Sequence, residues 1–545
     1  MTDWRSNTFE VRLGPPGHGG FCVARHEGRV VFVRHGLPDE LVRVRVTEDR
    51  GGSFCRAEAI EILEASPDRV PATCPVSGPG GAGCCDFSFA APAAQRALKA
   101  AVVAEQLRRI AGIERDITVE PITGYPDDAT GGWRTRIRLA VDAEGRAGVH
   151  GYRSTEVITD LRCPQPVPGA MDGIADRLWT PGADLVIAVG GDGMRHIVEL
   201  APSAVAGRAE RGSERPSARG GNRHGKRETD RRTGKRRGAE RGPGGSEGPH
   251  TDARGHGDED RRASRGGSQW QRFDDGGAGH DDVGRSRRGA GPGDDGEWSR
   301  GGDRSGRERS GRDEFGGTGS RRGDQRGSVG GEGVRRRAAV RRAATHAARD
   351  EWVMGGSGRT VEYVAGRRWE LAATGFWQAH RGAAQCYSDL VAGWAGLGHG
   401  ERAWDLYSGV GVFAAALAGQ VGRTGSVLAV ESTRSAVADG NVALRDLPWV
   451  DLRAQRVEHW LAEHANSATP DVVVLDPPRA GAGKEVVAAV TTSGPSRIIH
   501  IGCDPASFAR DLGLYQSAGY HLADLRAFDA FPATHHVECL ALLER

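Results

Sequence analysis

Short alternating runs of apolar and polar residues dominate the chain between residues 8 and 62. Alternation with a period of two predicts strands with one buried face, and glycine- and proline-rich breaks separate the runs. Several short strands joined by such breaks predict a small antiparallel, OB-like β-barrel over residues 1–65. The runs are Phe9–Leu13, Arg29–Val33 and Leu41–Val46, and the breaks are 14–17, 36–39 and 49–52.

A helical period follows the barrel, because apolar residues recur every three to four positions between Ala94 and Ile110. Strand-like runs then continue, so residues 66–204 are predicted to form a strand-rich central region. Within that region, Trp133–Leu139 alternates three arginines with mostly apolar residues. A row of arginines on one sheet face suits either an RNA backbone or contact with solvent, and the pattern leaves both interpretations open.

Periodicity is lost between residues 205 and 348, where Arg, Gly, Asp, Glu and Ser dominate. A segment this poor in apolar residues cannot bury enough surface to offset its chain entropy, so the composition predicts a disordered insertion. Three Arg-Gly-Gly sequences favour loose RNA contact, whereas the interspersed acids favour a tolerated surface insertion. The flanking runs Ile197–Leu200 and Val361–Val364 are predicted to lie in one folded unit, with residues 349–375 completing the central region.

Four apolar runs, each followed by a helical stretch, occupy the last part of the chain. Such a βαβ series predicts an α/β domain over residues 349–545, built on a doubly wound parallel sheet whose ligands lie at the carboxyl ends of the strands. A helix is predicted just before the series, at Arg381–Ala395. The four runs are 403–407, 425–431, 471–476 and 496–501.

The composition excludes several classes of protein. Of 545 residues, 82 are glycine, which indicates that a sizeable part of the chain lies outside a packed core. The nine cysteines are too sparse for a disulfide scaffold. The net charge of +2 is nearly neutral and so does not indicate a basic surface. No apolar run has the length of a membrane span, and the polar start Met1–Arg5 lacks the apolar core of a signal peptide. We therefore expect a cytoplasmic protein with reduced thiols and no membrane contact.

A glycine turn follows the first strand of the α/β series, in Asp405-Leu406-Tyr407-Ser408-Gly409-Val410-Gly411. Glycines at such a turn let the backbone approach a ligand closely. Glu431, at the end of the next strand, can accept hydrogen bonds from both hydroxyls of a ribose. Nicotinamide and S-adenosylmethionine sites share these features, so the turn alone does not choose between the two cofactors.

Three polar segments near the C terminus indicate a specific reaction. Asp476-Pro477-Pro478-Arg479 closes one strand, Cys503 ends the next, and Glu538 comes late in the chain. Carbon 5 of uracil is a poor nucleophile, but a thiolate added to carbon 6 makes an enolate that can attack a sulfonium methyl group. A base must then remove the proton from carbon 5, and Glu538 is the natural candidate. We expect an electropositive, partly open pocket to activate the thiol.

These segments, together with Cys503–Leu512 and His535-His536-Val537-Glu538, resemble the bacterial RNA uracil-5 methyltransferase family, which includes the tRNA T-loop enzyme and 23S ribosomal RNA enzymes. The glycine pattern of residues 19–40 is similar to a TRAM domain, an RNA-binding OB-like barrel. The resemblance implies a class I Rossmann-like methyltransferase domain with Cys503 as the nucleophile and Glu538 as the proton acceptor. Val412 stands where many members have asparagine, so that cofactor contact is lost or made by backbone. The pocket for S-adenosyl-L-methionine and the target base would be lined by Gln378, Tyr407, Gly409, Glu431 and Asp476.

The same resemblance bears on four cysteines in the central region. In the resembled family, four cysteines there can hold a four-iron four-sulfur (4Fe-4S) cluster, three of them in a C-x5-C-x2-C run. Here Ala82 stands where that run needs sulfur, and the thiols of adjacent cysteines point in different directions. A 4Fe-4S cluster and ordinary structural thiols both stay open. The four residues are Cys74, Cys84, Cys85 and Cys163.

The sequence therefore predicts S-adenosylmethionine-dependent methylation of uridine carbon 5 in a structured RNA, either tRNA or 23S rRNA, by a protein expected to be a monomer. Cytosine-5 methylation is one alternative, because it uses the same thiol addition. A second alternative is an RNA-binding or assembly protein that keeps the fold without turnover.

Overall fold

The computed structural model describes residues 3–202, 349–465 and 469–545. The predicted disordered insertion, residues 205–348, lies outside the described residues. The described strands build a barrel, a central antiparallel sheet with a separate hairpin, and a large mixed sheet. No helix in these three ranges is both long enough and apolar enough to cross a bilayer.

The N-terminal barrel is a six-stranded sheet in the order β1-β5-β6-β4-β3-β2. Alternation along its strands directs Val31, Val33 and Val42 inward, where all three are fully buried. A buried ion pair joins Arg29 to Asp49 at 2.6 Å. The OB-like barrel predicted from the sequence is confirmed. Its strands are β1 (Thr8–Arg12), β2 (Pro16–Gly17), β3 (Phe21–His26), β4 (Arg29–Arg34), β5 (Leu41–Asp49) and β6 (Phe54–Glu64).

The predicted amphipathic helix is α1 (Pro92–Gln106), which continues into a π-helical turn at Leu107–Ala111. Proline at the first helical position suits the helix start, because its missing N–H would lack a helical partner there. The buried face also carries a charge. Lys99 donates hydrogen bonds to the Asp529 carboxylate at 2.5 Å and to the Phe531 carbonyl at 3.1 Å, so this helix is tied to the C-terminal part of the chain.

The central region is an antiparallel sheet in the order β10-β9-β8-β11-β12-β13. Strand β12, before the insertion, pairs with β13, after it, so the two ends of the insertion leave from one hairpin-like pair. The strands are β8 (Arg136–Val141), β9 (Ala147–His150), β10 (Val157–Ile158), β11 (Asp184–Val189), β12 (Arg195–Pro202) and β13 (Arg349–Gly355), followed by the hairpin β14 (Arg359–Val364) and β15 (Arg367–Ala372).

The arginines of β8 do not form the RNA-facing or solvent-facing row that the alternation suggested. Arg136 is buried and forms an ion pair with Glu362 at 2.9 Å, and Arg138 pairs with Asp184 at 2.7 Å. Both interpretations of the row are therefore wrong for Arg136, whereas the Arg138 side chain stays 28% exposed beside its partner. Burial of a charge requires a partner, and the partners lie on β14 and β11, which a local pattern cannot indicate.

The C-terminal sheet has eight strands in the order β18-β17-β16-β19-β20-β22-β21-β7. Strands β16 to β20 are parallel, whereas β22 runs antiparallel between β20 and β21. The edge strand β7 precedes the strands of the central antiparallel sheet in the chain and pairs with β21. The strands are β7 (Val119–Pro121), β16 (Arg402–Leu406), β17 (Ser426–Glu431), β18 (Val450–Ala454), β19 (Val472–Leu475), β20 (Arg497–Gly502), β21 (His521–Asp529) and β22 (Glu538–Glu544).

Helices cover both faces of this sheet, which confirms the predicted doubly wound α/β class. Each face has its own apolar core, because successive strand residues point to opposite sides. Val472 and Val474 belong to one core, and Val473 and Leu475 to the other. The helices are α2 (Ala383–Ala395), α3 (Val412–Val421), α4 (Arg434–Ala443), α5 (Val457–His464), α6 (Gly483–Ser493) and α7 (Pro505–Ser517), with a 3-10 turn at Gly422–Thr424.

Candidate active site

The predicted site residues gather at the carboxyl edge of the parallel strands. Asp405 directly precedes Leu406, the last residue of β16. Glu431 is the last residue of β17, and Asp476 directly follows β19. Cys503 follows β20 in the same way, and Glu538 begins the antiparallel β22 at the same edge. Parallel strands bring their carboxyl ends to one edge of a sheet, which is where doubly wound folds bind ligands.

The turn after β16 has the backbone of a ligand-binding loop. Tyr407, Gly409 and Gly411 all adopt left-handed backbone conformations, with φ of 63°, 56° and 85°. A side chain at Gly411 would also lie 2.9 Å from Leu444, so glycine is required there for space as well. A non-glycine residue with positive φ is uncommon and is found at ligand sites, which fits Tyr407.

The Glu431 carboxylate is held by this turn. It accepts hydrogen bonds from the Gly409 N–H at 3.2 Å and from the Thr433 N–H at 2.7 Å. These contacts orient an acid at the end of the second strand, where a ribose would be recognised. Tyr407, Gly409 and Glu431 are thus brought together as the sequence predicted.

Asp405 is a further functional candidate that the sequence interpretation did not assign. It is fully buried, and one carboxylate oxygen accepts a hydrogen bond from the Ala414 N–H at 2.8 Å. Its other oxygen has no hydrogen-bond partner among the described residues. Burial, and then the nearby charges of Asp476 and Glu431, raise the pKa of Asp405 to about 8. The sequence signal that could have identified Asp405 is its place as the acid at the start of the glycine turn.

Cys503 and Glu538 are brought together by strand pairing. In the antiparallel pair of β20 and β22, Ile501 lies opposite Leu540 and Gly502 lies opposite Cys539. Continuing that register by one residue sets Cys503 opposite Glu538. Side chains at directly opposed positions have Cβ atoms about 4.5–5.5 Å apart, so both can act on one small substrate.

The surroundings of Cys503 correct the expectation of an electropositive pocket. Burial and then the negative charge of Glu538 raise the pKa of the thiol well above its ordinary value. Arg479 is the neighbouring group that lowers it, while Asp476 raises it further. Burial and the acidic neighbours therefore favour the protonated thiol more than Arg479 favours the thiolate.

Two carboxyl groups share this site. Desolvation raises the pKa of Asp476 to about 7. Desolvation and then the charge of Asp476 raise the pKa of Glu538 well above its ordinary value, and Arg479 opposes this. Closely spaced acids with raised pKa values are suited to giving and taking protons near neutral pH.

Two side chains before the first parallel strand complete this region. Gln378 lies half-buried in the loop between β15 and α2, and its role as a cofactor ligand stays a prediction. Tyr387 on α2 is fully buried, and its hydroxyl has no hydrogen-bond partner among the described residues. Burial and then the charges of Glu538 and three other groups, among them Asp476 and Cys503, raise its pKa well above the ordinary value. The sequence predicted the helix that carries this tyrosine but assigned no role to the tyrosine itself.

The four cysteines of the central region also come together. Cys85 has Cys163, Cys74 and Cys84 as neighbours, and these thiols are the main cause of its raised pKa. Gln165 donates a hydrogen bond to the Cys85 sulfur at 3.2 Å. In the part of the chain that the structure describes, no group of three or more His, Cys, Asp or Glu side chains could hold a metal ion. Whether these four cysteines hold a 4Fe-4S cluster stays open, as the sequence left it.

Comparison with known protein families identifies two regions. Residues 396–545 match the model of the tRNA (uracil-5-)-methyltransferase family, and residues 5–60 match the model of the TRAM domain. The first match contains the carboxyl edge with Asp476, Cys503 and Glu538, and the second contains the barrel.

Similar proteins cover the whole chain. An uncharacterized RNA methyltransferase of Streptomyces avermitilis is 35% identical, over 98% of this chain and 98% of its own. An uncharacterized RNA methyltransferase of Corynebacterium efficiens is 30% identical, over 99% of this chain and 96% of its own. The crystal structure of Pyrococcus abyssi tRNA (uracil-54, C5)-methyltransferase in complex with S-adenosyl-L-homocysteine has the same fold, with a TM-score of 0.55 at 16% identity over 98% of this chain and 100% of that one.

Proposed function

This chain belongs to the bacterial RNA uracil-5 methyltransferase family with an N-terminal TRAM domain, and we propose that it methylates carbon 5 of a uridine in tRNA or 23S rRNA through a covalent bond from Cys503 to the uracil. Its methyl donor in this proposal is S-adenosyl-L-methionine.

The position of Cys503 next to Glu538 carries the proposal. The pairing of β20 and β22 supports it, because Cys503 follows the end of one strand and Glu538 begins the other at the same sheet edge, with Asp476 nearby. Methylation at carbon 5 needs a thiol at carbon 6 and a base at the neighbouring carbon 5. Carbons 5 and 6 are bonded to each other, so the thiol and the carboxylate that act on them must lie close together, as Cys503 and Glu538 do.

The cofactor loop supports S-adenosyl-L-methionine as the donor. Its residues fit such a ligand, since the left-handed turn at Gly409 and Gly411 exposes backbone and Glu431 offers a ribose acceptor. Buried Asp405 at the start of the turn has one oxygen without a hydrogen-bond partner among the described residues, which leaves a polar atom for a ligand. When bound, the donor would supply an electrophilic methyl group on a sulfonium, which is the group that the carbon 5 enolate needs.

The residues of the chain would then act in order. Cys503 would give its proton to solvent or to the ionised carboxylate of Asp476, whose pKa is about 7. Its sulfur would bond to carbon 6 of the uracil, and the electron pair of the carbon 5–carbon 6 double bond would become an enolate. Carbon 5 would then take the methyl group, and the electron pair of the broken carbon–sulfur bond would stay on the donor's sulfur. Glu538 removes the proton from carbon 5, and the restored double bond expels the Cys503 sulfur.

The substrate of the reaction would be a structured RNA with its target base turned out of the stack. The barrel, which matches the TRAM model, provides a separate surface for the RNA backbone. This leaves both tRNA and 23S rRNA as substrates, since base chemistry is the same in either.

Nucleoside analysis of RNA from cells with and without the gene tests this function. Loss of 5-methyluridine from tRNA or from 23S rRNA, restored by the wild-type gene but not by Cys503→Ala, is the expected result. Loss of 5-methylcytidine instead would favour the cytosine alternative. If neither nucleoside changes while the purified protein binds RNA, the protein is a binding module and the proposal is wrong.

A further inference from the structure

A loop of the barrel contacts the segment that carries the nucleophile. His18, between β2 and β3, hydrogen-bonds through its Nε2 to the Asp504 carboxylate at 2.9 Å. Asp504 directly follows Cys503 and caps α7 by accepting a hydrogen bond from the Ser507 N–H at 2.9 Å. The barrel thus reaches the residue next to the proposed nucleophile across 486 positions of sequence.

A further hydrogen bond links the start of α7 to the loop that carries Asp476. The Ser507 hydroxyl donates a hydrogen bond to the Arg479 carbonyl at 2.8 Å. Burial raises the pKa of the Asp504 carboxyl, but the hydrogen bonds from His18 and Ser507 outweigh it and hold the pKa at about 2. Asp504 is therefore an ionised link between the barrel loop, α7 and the Asp-Pro-Pro-Arg loop.

A second, separate contact reaches the segment that carries the base. Asp86 is buried and hydrogen-bonds to both Arg34 of β4 and His535, with an Asp86–His535 distance of 2.5 Å. Gly20 of the barrel loop lies against the same pair, since a Cβ on it would be 3.2 Å from Asp86 and 3.3 Å from His535. His535 precedes Glu538 by three residues.

We infer that the barrel is a positioning element of the active site: its 16–20 loop and Arg34 hold the Cys503 and Glu538 segments in register with each other. His18 is the positioning residue for the nucleophile. This inference rests on the proposed function, because it takes these two residues as nucleophile and base. It adds to RNA binding a second task for the barrel, which is to align the groups that act on the base.

The exposure of the contact argues for alignment rather than for stability. The side chains of His18 and Asp504 are 37% and 29% exposed, and ion pairs at such positions contribute little to folding. A contact next to a nucleophile affects the reaction rate instead, because a small displacement of a reacting group lowers the rate strongly.

The test compares His18→Ala, His18→Gln and a control in the full-length protein. Glutamine keeps an N–H donor that can reach Asp504. His521→Ala is the control, because His521 lies 4.0 Å from Glu544 in an exposed pair at the opposite edge of the sheet. The probe is RNA that contains 5-fluorouridine at the target position, with S-adenosyl-L-methionine, and the readouts are the rate of covalent adduct formation, the RNA Kd and the Tm.

We expect His18→Ala to slow adduct formation at saturating RNA by about tenfold or more, with RNA Kd and Tm close to wild type. His18→Gln should recover most of the rate, and His521→Ala should match wild type. Adduct formation by His18→Ala at the wild-type rate, or a defect seen only in RNA Kd, would overturn the inference alone. Absence of any adduct in wild type would instead overturn the proposed function and the inference with it.

Discussion

Cys503 directly follows Gly502, the last residue of β20, and Glu538 directly precedes Cys539 of β22, which pairs with Gly502. The arrangement joins a parallel strand to the antiparallel strand inserted beside it, so that the end of one and the start of the other meet at the ligand-binding edge. The proposed nucleophile therefore lies just past a strand end, and the proposed proton acceptor lies at the start of the neighbouring strand. The charge of Glu538 is also a cause of the raised pKa of the Cys503 thiol.

Replacing Glu538 by glutamine should lower the pKa of Cys503, because it removes that negative charge. The effect should appear above the pKa of Glu538, where the wild-type carboxyl is ionised. Alkylation of Cys503 by iodoacetamide, followed by mass spectrometry across pH, measures it. Glu463→Gln, at an exposed position on α5, is the control. An unchanged or slower alkylation in Glu538→Gln would show that the two groups do not interact.

Glu538→Gln should also trap the reaction at its last covalent stage, since the proton on carbon 5 would lack its acceptor. This is the same substitution, and a methylated RNA–protein adduct accumulating with unmodified uridine RNA is its second readout.

Asp405→Asn should alter how stability depends on pH. With a pKa of about 8 in the folded protein and ~3.9 in the unfolded chain, Asp405 binds its proton more tightly when folded. Wild-type stability therefore falls as pH rises from about 4 to 8, by an amount on the order of a few kcal/mol. Asparagine does not titrate, so the variant should lack the contribution of Asp405 to the pH dependence of the free energy of unfolding. Free energies of unfolding in urea at pH 5 and pH 8 measure the difference, and an unchanged slope would contradict the raised pKa.

Tyr387→Phe should leave the protein as stable as wild type or more so. The Tyr387 hydroxyl is buried without a partner among the described residues, and such a group costs about 1–3 kcal/mol. Tyr515→Phe is the matched control on the other face of the sheet, where the hydroxyl contacts His500 at 3.4 Å. A Tm for Tyr387→Phe several degrees below wild type would mean that the hydroxyl is satisfied in solution.

The cysteine group should carry no stoichiometric iron. Ala82 stands where the C-x2-C pair of the resembled family needs sulfur, and adjacent Cys84 and Cys85 point their thiols in different directions. Iron and labile sulfide on anaerobically purified protein provide the measurement, with less than one iron per chain expected. Four irons with matching sulfide would show that the thiols separate to bind a 4Fe-4S cluster.

The sequence was informative where function depends on strand ends. The parallel strands are buried on both faces and appear as short apolar runs, so the amino-acid pattern alone places Asp476 and Cys503 at their carboxyl ends. Glu431 was found in the same way, and the barrel followed from alternation and glycine breaks.

Features that depend on distant partners could not be predicted. Arg136 pairs with Glu362, 226 positions away, so its alternation could not reveal that it is buried. The environment of Cys503 was mispredicted for a related reason. The acids that surround it come from separate strands, and their summed charge becomes visible only when those strands are adjacent.

The central claim is that the Cys503 sulfur bonds to the target base, and fluorouracil trapping measures it most directly. Incubation with S-adenosyl-L-methionine and RNA bearing 5-fluorouridine, followed by proteolysis and mass spectrometry, locates the modified residue. We predict one methylated fluorouridine adduct on Cys503, and none in Cys503→Ala. An adduct on another residue, or rapid methylation of uridine RNA with no adduct on Cys503, would contradict the account.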